Sequence, residues 1–421
     1  MYIRLNRIIG FFCLLMPLGF LGRYDLNDAL LLVVYYILFL ISSKYNRSAL
    51  NIMIKGLLII QFIRIYIMQN DSNSFSFLYS TNWSTNTAIT GVLVCGILSF
   101  IIIYLANDRL VLEKTTPAKK INPFYLILLL SIKLFFTLFF DVGLLNSTAS
   151  SLSFIDLLIP DIVLWFFILN YDFKKSLKVL SIVLILCINL FQQSKAVIFE
   201  GIFAYLIILL LRNHNPLIKI SQLVRIIIVS IIALFSFFYI YVVRKGNNLG
   251  TLSNLNIDFL FGIFTGRLSY IDGFVLLNDV KITDLQNYTN ISTVLSSVFA
   301  GLLPAVSSDS YSIGNSIGFL FQGVPQDYPH SGALGLFPLL IFDLQYLLTF
   351  FVIIMLISVI CFLIKNVIKK NKDIFYFFMV STSFYLILSG NIDRLVINLI
   401  AHTTIAFFIY KFSKPRINKF R

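Results

Sequence analysis

Few ionisable side chains fall where they could meet a water-soluble group outside the membrane, and five of them are candidate cations. They stand in the long polar segment 244–332 or at the predicted outer ends of apolar runs: Lys195, Arg244, Lys245, Arg267 and Arg394. Several cations around one rim suit a polyanion at the membrane surface. Arginine is the better pyrophosphate ligand, because its planar guanidinium forms bidentate, charge-assisted hydrogen bonds. The pattern predicts anion binding at Arg244 and Arg267, supported by Arg394 and Lys195.

A purely structural role for these cations is the alternative. Lysine and arginine at span ends often extend to lipid phosphates without binding anything specific. Arg267 differs, since it lies between Gly266 and Ser269 in an otherwise apolar stretch, where its charge needs a partner. An internal salt bridge with Asp258 or Asp272 would satisfy it, and an anionic ligand would do the same.

The histidine of the long polar segment is the candidate base. His330 stands in the segment 326–332, whereas His214 falls in a predicted inner connection and His402 within the last apolar run. A histidine just above the membrane can accept a proton from a hydroxyl near neutral pH. Asp327, three residues earlier, could orient the imidazole or act in its place. The inert surface histidine is the alternative.

Composition places these residues on an integral membrane protein. Of 421 residues, 58% are hydrophobic and 12% charged, with 43 Phe and a mean hydropathy of +0.89. These values do not describe a soluble domain. The net charge of +14 would suggest nucleic acid in a soluble protein, but in a membrane protein basic residues are first sorted by the side that they occupy.

Apolar runs long enough to cross about 30 Å of hydrocarbon predict an all-α polytopic fold with twelve spans. They cover 8–22, 28–42, 49–68, 87–106, 122–140, 151–170, 178–192, 195–211, 223–243, 345–364, 373–390 and 393–410. Basic residues concentrate in alternate connections and in both termini, which the positive-inside rule places in the cytoplasm. The chain thus divides into a bundle of nine spans (1–243), an outer loop (244–332), and three spans with a basic tail (333–421).

Two apolar stretches within the outer loop could be mistaken for spans. Asp258, Arg267 and Asp272 argue against a crossing by 257–277. We expect both 257–277 and 291–305 to form interfacial or re-entrant helices on the outer rim of the bundle. If both crossed, the count would become fourteen. The stretch 333–342 is expected to lead into the tenth span without being one.

No metal or phosphate-loop chemistry is indicated. The four cysteines all fall inside apolar runs, where they behave as small apolar residues. Asp25 and Asp28 in the first outer turn have metal-ligand types, yet Asp-x-x-Asp is common by chance and no further carboxylates accompany them. The chain has no G-x-x-x-x-G-K-[ST] motif, so ATP-driven transport by this chain alone is not expected. We predict a metal-independent, cofactor-free protein.

Chain architecture resembles the Wzy-type O-antigen and oligosaccharide repeat-unit polymerases, relatives of the O-antigen ligases and GT-C-like membrane glycosyltransferases. The similarity covers length, about twelve spans, cytoplasmic termini and one large outer loop late in the chain. Local features agree: Gln193-Ser194-Lys195 at an outer turn, Arg244 at a span exit, Gly266-Arg267-Leu268 in the loop, and Pro329-His330-Ser331-Gly332 before the next span.

The resemblance implies glycosyl transfer at the periplasmic face of the bacterial inner membrane. Donor and acceptor would be undecaprenyl-pyrophosphate-linked oligosaccharides, with lipid pyrophosphate leaving and a chain-length regulator as a possible partner protein. Such a site needs cations on the leaving group and a base near the attacking hydroxyl. These roles fall to the arginines with Lys195, and to His330 or Asp327. Tyr270 and Tyr328 could stack on sugar faces.

Two other functions share much of this pattern. A flippase for the same lipid-linked oligosaccharide would need charges at mid-membrane depth, and the apolar runs do contain such residues: Lys55, Arg64, Lys133, Asp156 and Asp161. The long outer loop favours an enzyme working outside. An O-antigen ligase would use the same arginines and histidine, and the sequence does not separate it from a polymerase.

Overall fold

The computed structural model describes residues 2–43, 49–70, 83–106, 122–140, 159–192, 196–212, 217–219, 268–279, 283–302, 312–322, 333–363 and 372–413, with single positions between 224 and 266. Apart from two three-residue strands, the elements so described are helical. The first half contains α1 (Leu5–Leu15), a 3-10 helix (Met16–Arg23), α2 (Leu26–Ser43), α3 (Ala49–Asn70), α4 (Thr85–Ala106), α5 (Pro123–Phe140), α6 (Asp161–Asn170), α7 (Lys175–Phe191) and α8 (Ala196–Arg212). The second contains α9 (Ile271–Asp279), α10 (Thr283–Thr289), α11 (Ile291–Leu302), α12 (Ile313–Gln322), α13 (Leu336–Phe342), α14 (Leu344–Leu363), α15 (Lys372–Ser389) and α16 (Ile392–Ser413).

Six helical segments of the described chain are long and apolar enough to cross a membrane. They cover Asn6–Arg23, Leu26–Ser43, Leu50–Gln69, Thr85–Tyr104, Pro123–Phe140 and Ile392–Phe412. Each coincides with a predicted span, which confirms those six runs as long helices. Bulky apolar side chains on α2 and α5 are exposed, including Leu30, Leu40 and Phe139. Exposed apolar faces of this kind are expected where a helix meets lipid.

Several other predicted spans correspond to shorter apolar helices. Helices α7 and α8 have 17 residues each, about 26 Å at 1.5 Å per residue. Of the predicted span 151–170, the described part is α6, which begins directly after Pro160. Between 224 and 238 the described positions are helical, and four apolar side chains at helical spacing are exposed there: Val224, Ile228, Ile231 and Phe235.

Helices α13 and α14 form a bent pair at the predicted tenth span. Their axes differ by 120° across a short break at Asp343. Asp343 caps α14, since its Oδ1 accepts a hydrogen bond from the Tyr346 backbone N–H at 3.1 Å. The stretch 333–342 therefore leads into the span as a separate short helix, as the sequence predicts.

The described residues 269–277 of the segment predicted to lie on the outer rim are buried inside the bundle. Residues 268–270, just before α9, are not helical, so 257–277 does not form one continuous helix. Every residue from Tyr270 to Leu277 is buried, whereas a rim helix would expose one face. The Phe274 ring lies against Gly91 of α4, which places α9 between other helices. Helix α11 has 12 residues, about 18 Å, which is too short to cross a bilayer, in agreement with the expectation for 291–305.

A pair of antiparallel strands joins the chain start to the segment after α8. Strand β1 (Tyr2–Arg4) pairs with β2 (Leu217–Lys219), with Ile3 opposite Ile218. Open sheet edges are not stable in lipid, so we expect both strands to lie on the same aqueous face, with an even number of crossings between residue 4 and residue 217.

A cysteine pair tests this connection. Ile3→Cys with Ile218→Cys should form a disulfide under mild oxidation, because directly opposed strand residues lie within disulfide reach. The cross-link is read as a mobility shift on a non-reducing gel, with Ile3→Cys combined with Leu26→Cys as control. Failure to cross-link, or labelling of the two cysteines from opposite faces by an impermeant reagent, would contradict the pairing.

Candidate functional site

Most of the predicted site residues lie outside the described part of the chain: Lys195, Arg244, Arg267, Asp327, Tyr328 and His330. Arg394 and Tyr270 lie within it. The described segments nevertheless flank several of the others directly. Gly266 and Leu268 flank Arg267, and the chain is described again from Ala333, three residues after His330. The geometry around those flanks defines the candidate site.

Arg394 lies in the first turn of α16 and is exposed. The residue before it, Asp393, is fully buried. Its Oδ2 accepts hydrogen bonds from Ser297 Oγ at 2.8 Å and from the Ile313 backbone N–H at 3.3 Å. Asp393 therefore ties α11 and α12 to the start of α16, while the Arg394 side chain remains accessible to a ligand.

Tyr270 does not occupy the position that sugar stacking requires. Its side chain is 1% exposed, and its ring contacts Phe337 edge-on with 5.4 Å between ring centroids. The predicted sugar-stacking role is therefore corrected: Tyr270 anchors the segment before α9 in the bundle core, because burying a large aromatic ring stabilises packing.

Three backbone segments, distant in sequence, cross in direct contact at glycines. A Cβ on Gly273 would overlap the Leu334 carbonyl oxygen, and one on Gly335 would overlap Tyr270 Cβ. A Cβ on Gly390 would lie 2.9 Å from the Gly335 oxygen. The Gly335 backbone N–H also donates to the carbonyl of Ser389, 3.4 Å away. We call this contact of Gly273, Gly335 and Gly390 the glycine crossing.

The glycine crossing brings together chain segments that carry separate candidates. The segment before α9 follows Arg267, the segment before α13 follows His330, and the turn before α16 leads to Arg394. The described parts of the three segments are thereby in direct contact, although Gly273 and Gly390 are 117 residues apart in sequence. This convergence is the feature of the described structure most relevant to a binding site.

Helix α3 holds the segment before α9 through Gln61, whose importance the sequence did not reveal. The Gln61 side chain is fully buried and donates to the Leu268 carbonyl at 2.9 Å. Its Oε1 accepts from Ser269 Oγ at 3.0 Å and from the Tyr270 backbone N–H at 3.1 Å. One amide thus binds three consecutive residues directly after Arg267, and satisfied polar groups of this kind fix a unique backbone arrangement.

Arg64, one turn further along α3, binds the same segment. Its guanidinium forms a bidentate pair with Asp272, with Nε to Oδ1 at 3.0 Å and Nη2 to Oδ2 at 2.6 Å. Nη1 donates to the carbonyl of Gly262, on the other side of Arg267. Both charged side chains are almost completely buried. The sequence identified Arg64 only as an intramembrane charge, and its partner lies 208 residues away.

Asp343 connects α10, which belongs to the predicted outer loop, to α14. Its Oδ2 accepts a hydrogen bond from Thr289 Oγ1 of α10 at 2.6 Å. The Thr289 carbonyl accepts in turn from Thr349 Oγ1 of α14 at 2.8 Å. Tyr346 then donates from its hydroxyl to the carbonyl of Gly390, at the glycine crossing. Buried hydrogen bonds thus link α10, α14 and the turn before α16.

The aspartates of the first outer turn have structural partners. Asp25 Oδ1 accepts from the Asp28 backbone N–H at 2.7 Å, as an N-cap of α2 does. Asp28 Oδ1 accepts from Thr90 Oγ1 of α4 at 2.7 Å. Among the described residues no three His, Cys, Asp or Glu side chains are grouped as metal ligands would be.

Comparison with models of known families, with curated proteins and with solved structures finds no match to this chain. Its function is therefore argued from its own residues.

Proposed function

We propose that this protein is an O-antigen or related polysaccharide polymerase. It would join undecaprenyl-pyrophosphate-linked oligosaccharide repeat units at the periplasmic face of the bacterial inner membrane, as a metal-independent glycosyltransferase. The acceptor hydroxyl attacks the anomeric carbon of the donor, and the lipid pyrophosphate leaves. The proposal includes twelve spans, cytoplasmic termini and the outer loop 244–332.

The main structural observation behind this proposal is the glycine crossing. A transfer between two lipid-linked substrates requires cations on the leaving group and a base beside the attacking hydroxyl, held at fixed relative positions. The candidates for these roles come from the outer loop and the last span. The crossing joins the segments next to Arg267, His330 and Arg394 through backbone contacts, which gives the rigid support that such a site needs.

The alternative to anion binding by Arg267 is an internal salt bridge. Asp272, one of two internal partners considered for Arg267, has both carboxylate oxygens in hydrogen bonds with Arg64. Arg267 stays the candidate ligand of the pyrophosphate, because a guanidinium binds such an anion through bidentate hydrogen bonds. Arg244 and Lys195 remain the further cation candidates, and His330 or Asp327 the candidate base.

Reconstitution tests the proposal. Purified protein in lipid nanodiscs, supplied with undecaprenyl-pyrophosphate-linked repeat units but no nucleotide or added metal, should produce a glycan ladder on a gel. Arg267→Ala and Arg394→Ala should each lower the rate about 100-fold or more, as losing a charge-stabilising donor does. Arg109→Ala, on a predicted cytoplasmic connection, is the control and should leave the ladder unchanged.

Three other results would contradict the proposal. Transport of lipid-linked sugar across liposomes without a ladder would indicate a flippase. Transfer of finished polymer to lipid A core, without chain growth, would indicate a ligase. Loss of the ladder with a chelator and its recovery with a divalent metal would exclude the metal-independent reaction.

A further inference from the structure

We propose that Asp393 is a positioning residue, which binds α11 and α12 and so fixes the start of α16 in the orientation that exposes Arg394 to the pyrophosphate of the lipid-linked substrate. The inference rests on the proposed function for the identity of this anion. It concerns a buried carboxylate whose hydrogen bonds are to Ser297 and Ile313 rather than to Arg394. Its effect on the ligand is therefore exerted through the placement of the neighbouring arginine.

The first step is the exposure of Arg394 at a helix start that is otherwise buried. Of the seven residues 391–397, Arg394 is exposed and the other six are buried. Seven residues make about two helical turns, so these positions cover every side of α16 and one direction is open. A rotation of the helix by one residue, about 100°, would turn the arginine into the bundle. The orientation of α16 thus decides whether this guanidinium can meet a ligand.

The stability of α16 does not explain an arginine at this position. The N-terminus of a helix carries about half a positive charge, which favours anions and disfavours cations in the first turn. Arg394 lies in that turn. A bound anion reverses the sign of the effect, because the guanidinium and the helix end both attract it. The position is therefore favourable when an anionic ligand is present.

The second step is the attachment that sets the orientation of α16. Asp393 Oδ2 accepts hydrogen bonds from Ser297 Oγ of α11 at 2.8 Å and from the backbone N–H of Ile313, the first residue of α12, at 3.3 Å. Four residues further along both helices, a Cβ on Gly301 would overlap the Ile397 side chain. Helices α11 and α16 thus touch along one line, and the carboxylate fixes the end of α16 at which the candidate cation lies.

A double-mutant cycle separates positioning from a purely structural role. Arg394→Ala should lower the affinity for undecaprenyl pyrophosphate about tenfold or more, the value of one charge-assisted hydrogen bond. Asp393→Ala should cause a similar loss, because α16 is then free to turn. In the Arg394→Ala background the same change should alter affinity less than about twofold, since no guanidinium remains to be placed. A structural role predicts instead that the two losses multiply.

A milder variant keeps the inference testable if Asp393→Ala folds poorly. Ser297→Ala removes one of the two hydrogen bonds to the carboxylate, and it should lower affinity about fivefold in the wild-type background alone. Ser316→Ala is the matched control. This serine of α12 is also buried, but its hydroxyl bonds the Ser312 carbonyl of its own helix at 3.2 Å. Its affinity should stay within about twofold of wild type.

The experiment measures binding without requiring catalysis. Undecaprenyl pyrophosphate is titrated into each variant in nanodiscs of zwitterionic lipid, and bound lipid is counted by native mass spectrometry, with thermal unfolding recorded in parallel. Phosphatidylglycerol is titrated in the same way, which distinguishes a pyrophosphate from the headgroup of a bilayer lipid.

Three results would each overturn the inference: wild-type affinity in Arg394→Ala or Ser297→Ala, losses that multiply in the double variant, or an equal dependence of phosphatidylglycerol binding on Arg394. An absent glycan ladder with a non-additive cycle would reject the polymerase while leaving the role of Asp393 standing.

Discussion

Gly335→Ala should strongly destabilise this protein, because this glycine of the crossing combines a positive φ with closely packed surroundings. Gly335 has φ 87° and ψ 151°, a region that is essentially restricted to glycine and costs other residues about 1–3 kcal/mol. Its new Cβ would also overlap Tyr270 and approach Pro338. Overpacking of this kind adds about 1–3 kcal/mol. The sum is a large share of a typical unfolding free energy of about 5–15 kcal/mol.

The measurement is the thermal unfolding midpoint of purified protein, together with the yield of monodisperse protein after extraction. Gly56→Ala is the matched control, since a Cβ at Gly56 of α3 meets nothing within 4 Å. Alanine favours a helix interior over glycine by about 0.5–1 kcal/mol, so this control should be neutral or slightly stabilising. Equal midpoints for the two variants would show that the crossing is not tightly packed.

Loss of the glycan ladder in a Gly335→Ala protein that still folds would give information about the site as well as about stability. The crossing joins the described segments that stand next to Arg267, His330 and Arg394 in the sequence, so a displacement there is expected to disturb a site that these residues form. Misplacement by about 1 Å can lower a rate about 100-fold. Folded but inactive protein would therefore support the crossing as the frame of the site.

The long helices could be predicted from sequence because spanning length is a local property. Each of the six long apolar segments is recognisable from its own residues, and the lead-in at 333–342 is marked by Gly335 and by its short length. The segment 257–277 was expected to form an interfacial or re-entrant helix on the rim, whereas its described residues 269–277 are buried. Its charges, Asp258, Arg267 and Asp272, suggested exposure at the rim, but Asp272 is buried because Arg64 neutralises it.

The sequence did not predict which residues pair with each other when they are far apart in the chain. Nothing local in α3 distinguishes Gln61 and Arg64 as the residues that hold the outer segment, since their partners lie 207 to 209 residues away. Tyr270 was assigned to sugar stacking because tyrosines stack well on sugars. Its burial against Phe337 depends on the glycine crossing, which only the assembled bundle reveals.

Lys133→Met should also be strongly destabilising. A second substitution that restores the stability distinguishes an enzyme from a transporter. Lys133 of α5 is 2% exposed, and its Nζ lies 2.9 Å from Asp161 Oδ1 of α6. It also donates to the carbonyl of Ile159 at 2.9 Å. Removing the ammonium takes this cation away from Asp161, and Glu200 lies within electrostatic range of both residues. Breaking such a buried pair costs about 3–5 kcal/mol.

Adding Asp161→Asn should restore most of that stability, because it removes the charge of the carboxylate. A transporter that moves an ionic substrate through the bundle depends on charges at mid-membrane depth, so the neutral double variant would lose transport. A polymerase that works above the bundle uses α5 and α6 only as support. The double variant should therefore keep a glycan ladder within about threefold of wild type, a difference below 1 kcal/mol in the barrier. A stable double variant without a ladder would instead assign Lys133 and Asp161 to the function, since their neutral replacements would then preserve the fold and abolish the activity.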